Sequence, residues 1–161
     1  MRKLAIVAVF FVLLSGCATK VTVQKEIALT ENVPFTVESV DNQCAATPPE
    51  GDKDAVTLMQ EALYAAIAEA ELPQGPDGYK IKVFLKEYAP GDALKRWLMP
   101  GWGQTKLTVQ CVVTDKDGLQ AGEIEVSRSI AAGGGYTIGA WHYIFSDVAK
   151  ALVKEIKGKM G

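Results

Sequence analysis

KLTVQCVVTDKDGLQAGEIEVSRSI, residues 106–130, decides how this chain folds. Leu107, Val109, Cys111 and Val113 alternate with Lys106, Thr108 and Gln110. Ile124, Val126 and Ile130 alternate in the same way with Glu123, Glu125 and Ser127. A period of two sends one set of side chains to each side of a strand. Between the runs, Asp115-Lys116-Asp117-Gly118 predicts a tight hairpin turn, with the glycine supplying the positive φ that such turns need. Strands that are half polar belong to an antiparallel sheet with one face in water.

Upstream, Tyr79, Ile81, Val83 and Leu85 alternate with Lys80, Lys82 and Lys86 and predict another strand. Phe35, Val37 and Ser39, behind Pro34, predict a first one. Asp41–Lys53, with Asn42, Pro48, Pro49 and Gly51, reads as a loop. A helix follows, capped by Asp52 or Asp54 and stopped by Pro73, with Val56, Met59, Leu63, Ala66, Ile67 and Ala70 on one face. At the C-terminal end, Trp141, Ile144, Phe145, Val148, Leu152 and Ile156 form one helical stripe, with Lys150, Lys154 and Lys157 toward its end. The order β-α-β-β-β-α predicts an α+β fold: a single antiparallel sheet with two helices on one face.

A chain of 161 residues has room for one such domain. Charged residues at 22% and apolar residues at 48% are a globular composition, and 17 Lys+Arg against 19 Asp+Glu argue against a nucleic-acid partner. One histidine and three cysteines are little material for a metal centre, and nothing implies a cofactor.

Residues 1–16 are a different population. Arg2 and Lys3 precede an unbroken apolar run from Leu4 to Leu14 with no acidic residue, the layout of an export signal. That run is too short for a bilayer span, which needs about 20 residues. Leu14-Ser15-Gly16-Cys17 resembles the lipobox of bacterial lipoproteins. The resemblance implies cleavage before Cys17, a lipid on its sulfur and an acylated amine, with a non-lipidated secreted protein as the alternative. Several acyl chains together anchor a protein permanently, where one holds it only marginally. Ala18, not an aspartate, follows the cysteine, which by the same resemblance implies the periplasmic face of the outer membrane, or the plasma membrane in a Gram-positive source. The expected division is a signal at 1–16, the lipidated cysteine and a leash at 17–33, and one α+β domain at 34–161. Within the leash, Val21, Val23 and Ile27 alternate with Thr22, Gln24 and Glu26, which leaves a strand open there.

Export would put Cys44 and Cys111 in an oxidising compartment. A disulfide between them would close a long loop, worth roughly 4 kcal/mol in the loop-closure treatment. The other reading is a buried, inert thiol at Cys111, in phase with Leu107, Val109 and Val113.

No catalytic constellation emerges. His142 is the only histidine, with Ser146 one turn on, but a hydrolytic triad needs its nucleophile on a strained turn, and no Gly-x-Ser-x-Gly is present. Gly133-Gly134-Gly135 and Gly139 precede a helix, yet Ala140 and Trp141 stand where a phosphate loop needs Lys and Ser or Thr. The most unusual stretch is Leu94–Trp102, which gathers Lys95, Arg96, Trp97, Leu98, Met99 and Trp102 in a segment broken by Pro100 and Gly101. Aromatics, Met and Arg are enriched at protein interfaces, and Trp beside Lys or Arg also suits a membrane interface. A loop folded back onto the sheet's end as satellite core is the third reading.

The stretch Arg96–Gly103, the hairpin, Gly133–Gly135 and the amphipathic terminal helix resemble an uncharacterised family of bacterial lipoproteins that carries a domain of unknown function. The element order is also similar to the small periplasmic domains of the curli secretion lipoprotein, of the TolB N-terminus and of the lipoprotein that activates penicillin-binding proteins. The resemblance implies a habit of binding other envelope proteins and transfers no catalytic residue. The expectation is a non-enzymatic lipoprotein, held to its membrane by lipid and binding an envelope protein through Lys95–Trp102. The alternative is a structural subunit that pairs with its neighbours through a sheet edge.

Overall fold

The computed structural model describes residues 17–27, 29–30, 32–49, 53–99, 102–131 and 138–160. The expected export signal at 1–16, Pro100 and Gly101, and the glycine cluster at 133–135 lie outside them. Five strands form one sheet: β1 (Cys17–Lys25), β2 (Phe35–Asn42), β3 (Tyr79–Ala89), β4 (Thr105–Thr114) and β5 (Gln120–Ile130). Among the described residues three helices complete the fold, α1 (Ala55–Glu69), the short α2 (Ala93–Leu98) and α3 (Ala140–Gly158). The order along the chain is β-β-α-β-α-β-β-α, and the order across the sheet is β1-β5-β4-β3-β2.

The 106–130 stretch folds as its alternation demands. β4 and β5 pair antiparallel, with Val109 opposite Val126 and Cys111 opposite Ile124. Leu107, Val109, Cys111, Val113, Ile124 and Val126 are fully buried beneath α1 and α3, together with Ile81, Val83 and Leu85 of β3. The opposite face carries Lys82, Thr108, Gln110, Glu125 and Ser127, all half-buried. There the Thr108 and Ser127 hydroxyls meet at 3.0 Å across the strands.

α1 begins where the Asp54 carboxylate accepts from the Thr57 amide at 2.7 Å. It ends with Glu71 at φ +55° and the Leu72 amide reaching back to the Ile67 carbonyl at 3.2 Å, a Schellman closure with glutamate where glycine is usual. Leu58, Met59, Leu63, Ala66 and Ile67 fill its buried face. α3 buries Ile144, Phe145, Val148, Leu152 and Ile156, with Trp141 partly covered.

The expected antiparallel sheet with two helices in the order β-α-β-β-β-α is corrected. A third helix, α2, lies between β3 and β4, and the sheet is mixed, because β2 pairs parallel to β3. Parallel neighbours need a crossover, and α1 supplies it, so β2, α1 and β3 form a βαβ unit. Within the expected leash, the strand that the sequence leaves open forms from Cys17 to Lys25. It is β1, paired antiparallel with β5 from Cys17 opposite Ile130 to Lys25 opposite Glu123. Its Val21 and Val23 lie on the helix-covered side but stay partly exposed at the edge, which is why their alternation with Thr22 and Gln24 is muted. Arg128 holds this edge in place, donating to Asp147 of α3 at 3.1 Å and to Thr19 of β1 at 2.8 Å.

Candidate functional site

β3 and β4 are antiparallel neighbours joined by residues 90–104, and α2 is built into that connection. Asp92 starts it: its Oδ1 accepts from the Leu94 amide at 2.9 Å and the Lys95 amide at 3.1 Å. These bonds, that from Lys95 foremost, hold the Asp92 carboxyl below the usual carboxylate range. The Asp92 amide donates to the Gly103 carbonyl at 2.8 Å and closes the base of the connection.

Arg96 turns inward and is 2% exposed. Its Nη1 donates to the Gly103 carbonyl at 2.9 Å and to Thr105 Oγ1 at 2.8 Å, and that hydroxyl donates to the Pro90 carbonyl at 2.8 Å. One guanidinium thereby clasps both ends of the connection. Gly91 (φ +72°) leaves room for it, since a Cβ there would lie 2.6 Å from Arg96 Nη1.

The residues around this clasp point the other way. Trp97 is 70% exposed, and Leu94, Leu98, Met99 and Trp102 are all more than half exposed. Lys95 Nζ sits 5.8 Å from the Trp102 ring centroid and 3.7 Å from Asp92. Of the residues expected here, Lys95, Trp97, Leu98, Met99 and Trp102 therefore form one exposed apolar surface with a cationic edge, and the segment is not satellite core. Arg96 is the departure: a six-residue helix needs one inward anchor, and the guanidinium reaches both ends of the connection. Reading the sequence missed Asp92 and Thr105. The available signal was Asp92 ahead of Ala93-Leu94-Lys95, a cap followed by helix formers.

Of the two readings of Cys44 and Cys111, the structure has them as free thiols. Cys111 faces the helices in the middle of β4, and burial pushes its pKa up to about 12. Cys44 lies past the end of β2, where its amide and thiol both contact Asn42 Oδ1 at 2.9 Å. Burial also raises Tyr88 to about 12, and its hydroxyl donates to the Trp141 carbonyl at 3.0 Å. His142 is exposed on the first turn of α3, edge-on to Trp141. Among the described residues no three His, Cys, Asp or Glu side chains gather to hold a metal, and no helix is long and apolar enough to cross a membrane.

The fold recurs in solved structures. A PelC dodecamer from Paraburkholderia phytofirmans matches over 84% of this chain and 95% of its own, at 10% identity and a TM-score of 0.55. A variant PelC dodecamer from the same organism matches over the same shares at 14% identity and 0.54. A DUF330 protein from Xanthomonas campestris covers 83% of this chain and 89% of its own, at 11% identity and 0.44. At these identities the likeness to PelC is one of fold. No curated protein matches the chain. A family profile does, across residues 27–134, from the end of β1 through β5, and on that match the chain belongs to the DUF4410 family, a domain of unknown function.

Proposed function

We propose that this protein is a non-enzymatic lipoprotein of the cell envelope, anchored through lipid on Cys17, that works by docking. The observation that carries the reading is the α2 surface. Trp97, Leu98, Met99 and Trp102 are held outward by a capped, Arg96-clasped helix in a connection far longer than its hairpin needs. Clustered exposed apolar side chains on a rigid support are what docking surfaces look like. The lipobox-like Leu14-Ser15-Gly16-Cys17 supports the anchor, and Ala18 favours the periplasmic face of the outer membrane, or the plasma membrane in a Gram-positive source. An anchor raises local concentration, so that a weak contact with an envelope protein suffices.

A second reading, assembly of copies through a sheet edge, is favoured by two observations. β1 and β2 stand at the two ends of the sheet order, and a protein that shares the fold is a dodecamer. The test is in-cell crosslinking of the anchored chain beside a Cys17→Ala control, with adducts identified by mass spectrometry. One dominant envelope protein captured only by the anchored form is the expected result. Self-adducts alone would favour the second reading, and no specific adduct in either form would overturn both.

A further inference from the structure

We propose that the α2 surface is a membrane seat. Trp97, Leu98, Met99 and Trp102 lie at the headgroup–acyl boundary of the leaflet beside the anchored cysteine, and lipid, not protein, is what they dock against. This rests on the anchoring of Cys17 and on docking at α2, and it assigns that surface to lipid where the reading above assigns it to an envelope protein.

The register of the sheet carries the inference. Cys17 of β1 pairs with Ile130 of β5, and Ile130 pairs with Thr105 of β4, the first residue after the α2 connection. Strands lie roughly 4.8 Å apart, so the anchoring residue and the foot of the α2 connection are about 10 Å from each other at the same end of the sheet. No spacer intervenes, because β1 begins at Cys17 itself. Acyl chains on Cys17 would therefore start beside α2. Ile138, 73% exposed just ahead of α3, follows β5 at this end too.

A domain tied down without slack holds this end against its leaflet. A globular partner facing α2 would have to occupy the space that the bilayer already fills. The chemistry fits an interface: Trp, Met and Leu outward, with Lys95 against the Trp102 ring. Exposed Lys20 lies on β1 three residues past the anchor. The acidic groups nearby are engaged, Asp92 as the α2 cap beside Lys95 and Glu87 with Lys106 at 2.7 Å. The Arg96 clasp presents the surface ready-made, so little ordering remains to be done on contact.

The test uses the full lipidated chain in vesicles of phosphatidylethanolamine with a phosphatidylglycerol minority, their acyl chains brominated. Tryptophan emission should be blue-shifted and fall roughly twofold against unbrominated vesicles, as for rings at the boundary. The fall should persist in Trp141→Phe and vanish in Trp97→Phe/Trp102→Phe. A chain that floats with the vesicles and carries the lipid mass on Cys17, yet keeps both tryptophans open to acrylamide and indifferent to bromine, would overturn the seat and leave the anchor standing. A chain with no lipid on Cys17 that stays in the soluble fraction would overturn anchor and seat together. A photoreactive residue at position 97 that captures one protein in cells, and no lipid, would also overturn the seat.

Discussion

Two connections in this sheet perform the same topological task by different means. Residues 115–119 join β4 to β5, and residues 90–104 join β3 to β4, both between antiparallel neighbours. The first needs one carboxylate and one glycine. Asp115 Oδ1 accepts from the Asp117 and Leu119 amides, each at 2.9 Å, and Gly118 takes φ +81°. The second inserts a capped helix, a buried arginine and five large exposed apolar side chains. Closing the hairpin does not explain them, since the other end of the molecule shows how little closing requires. What the longer connection adds is a surface, and its reason lies outside the domain.

The sharpest way to break this comparison is to make the two ends alike. Grafting the Asp115–Leu119 sequence in place of residues 90–105 leaves Ala89 and Lys106 flanking the turn, as Thr114 and Gln120 flank it in the native hairpin. The expected product folds, with a thermal midpoint within about 5 °C of the parent, the shift that roughly 1–2 kcal/mol produces at this size. Its docking should be abolished, read by the loss of bromolipid quenching or of the envelope adduct. An unfolded graft would mean that the α2 connection belongs to the core.

The next largest effect comes from alkali. The Cys111 thiol titrates near 9 in an unfolded chain and is pushed up to about 12 by burial. Its contribution to stability is therefore fully present below pH 9 and is lost as pH rises from 9 toward 12, at up to about 1.4 kcal/mol per pH unit. Tyr88, raised from 10 to about 12, adds to the fall above pH 10, but over a narrower pH range than Cys111. Urea midpoints across this range should show the decline. Cys111→Ala should flatten it from pH 9, at a cost near 1 kcal/mol at neutral pH for the small cavity it leaves. An unchanged slope in that variant would place the titrating group elsewhere.

Arg96→Ala acts on one connection only. Hydrogen bonds from a charged donor contribute about 1.5–3 kcal/mol, and the two that Nη1 makes within the clasp share one nitrogen and do not add. Local opening of α2 should become easier by about 2 kcal/mol, seen as roughly thirtyfold faster exchange of the Arg96 and Met99 amides. The Leu119 amide in the short turn should keep its rate. Equal acceleration at both ends would mean that Arg96 supports the whole sheet.

What the sequence discloses follows from the same contrast. The β4–β5 hairpin and the α3 stripe are legible because each long run repeats one period against one buried face. The direction of β2 is not, since Phe35 and Val37 alternate identically in a parallel or an antiparallel pair, and only the crossover by α1 decides. β1 is only half legible: Val21 and Val23 alternate with polar neighbours, but an edge strand buries its apolar side incompletely, so the strand stays open within a tether. At the site, the clustering of Trp97, Leu98, Met99 and Trp102 is visible at once. The inward turn of Arg96 is not, because six residues are too few to show a helical period and arginine is ordinarily exposed. The cap at Asp92 is the one local signal that separates a built helix from a loose loop.

A difference of about 1–2 kcal/mol between two glycine substitutions is the cleanest test of why the ends differ. Gly91 and Gly118 have nearly the same backbone angle, φ +72° and +81°, so an alanine meets the same left-handed strain at either, about 1 kcal/mol. Their surroundings differ. A Cβ at Gly118 meets nothing within 4 Å, whereas at Gly91 it would lie 2.6 Å from both Arg96 Nη1 and Thr105 Oγ1 and 2.7 Å from the Thr105 amide nitrogen. Gly91→Ala must therefore displace the clasp as well as strain the turn, and should cost about 2–3 kcal/mol. Gly118→Ala should stop near 1 kcal/mol, and Gly118→Asn should recover part of that, because asparagine tolerates the left-handed region. Combining Gly91→Ala with Arg96→Ala supplies the control. If the excess at Gly91 is the clasp, the two losses overlap and their sum falls short of additive. Full additivity would mean that the glycine serves the turn alone, as Gly118 does, and that the long connection is built on the same principle as the short one.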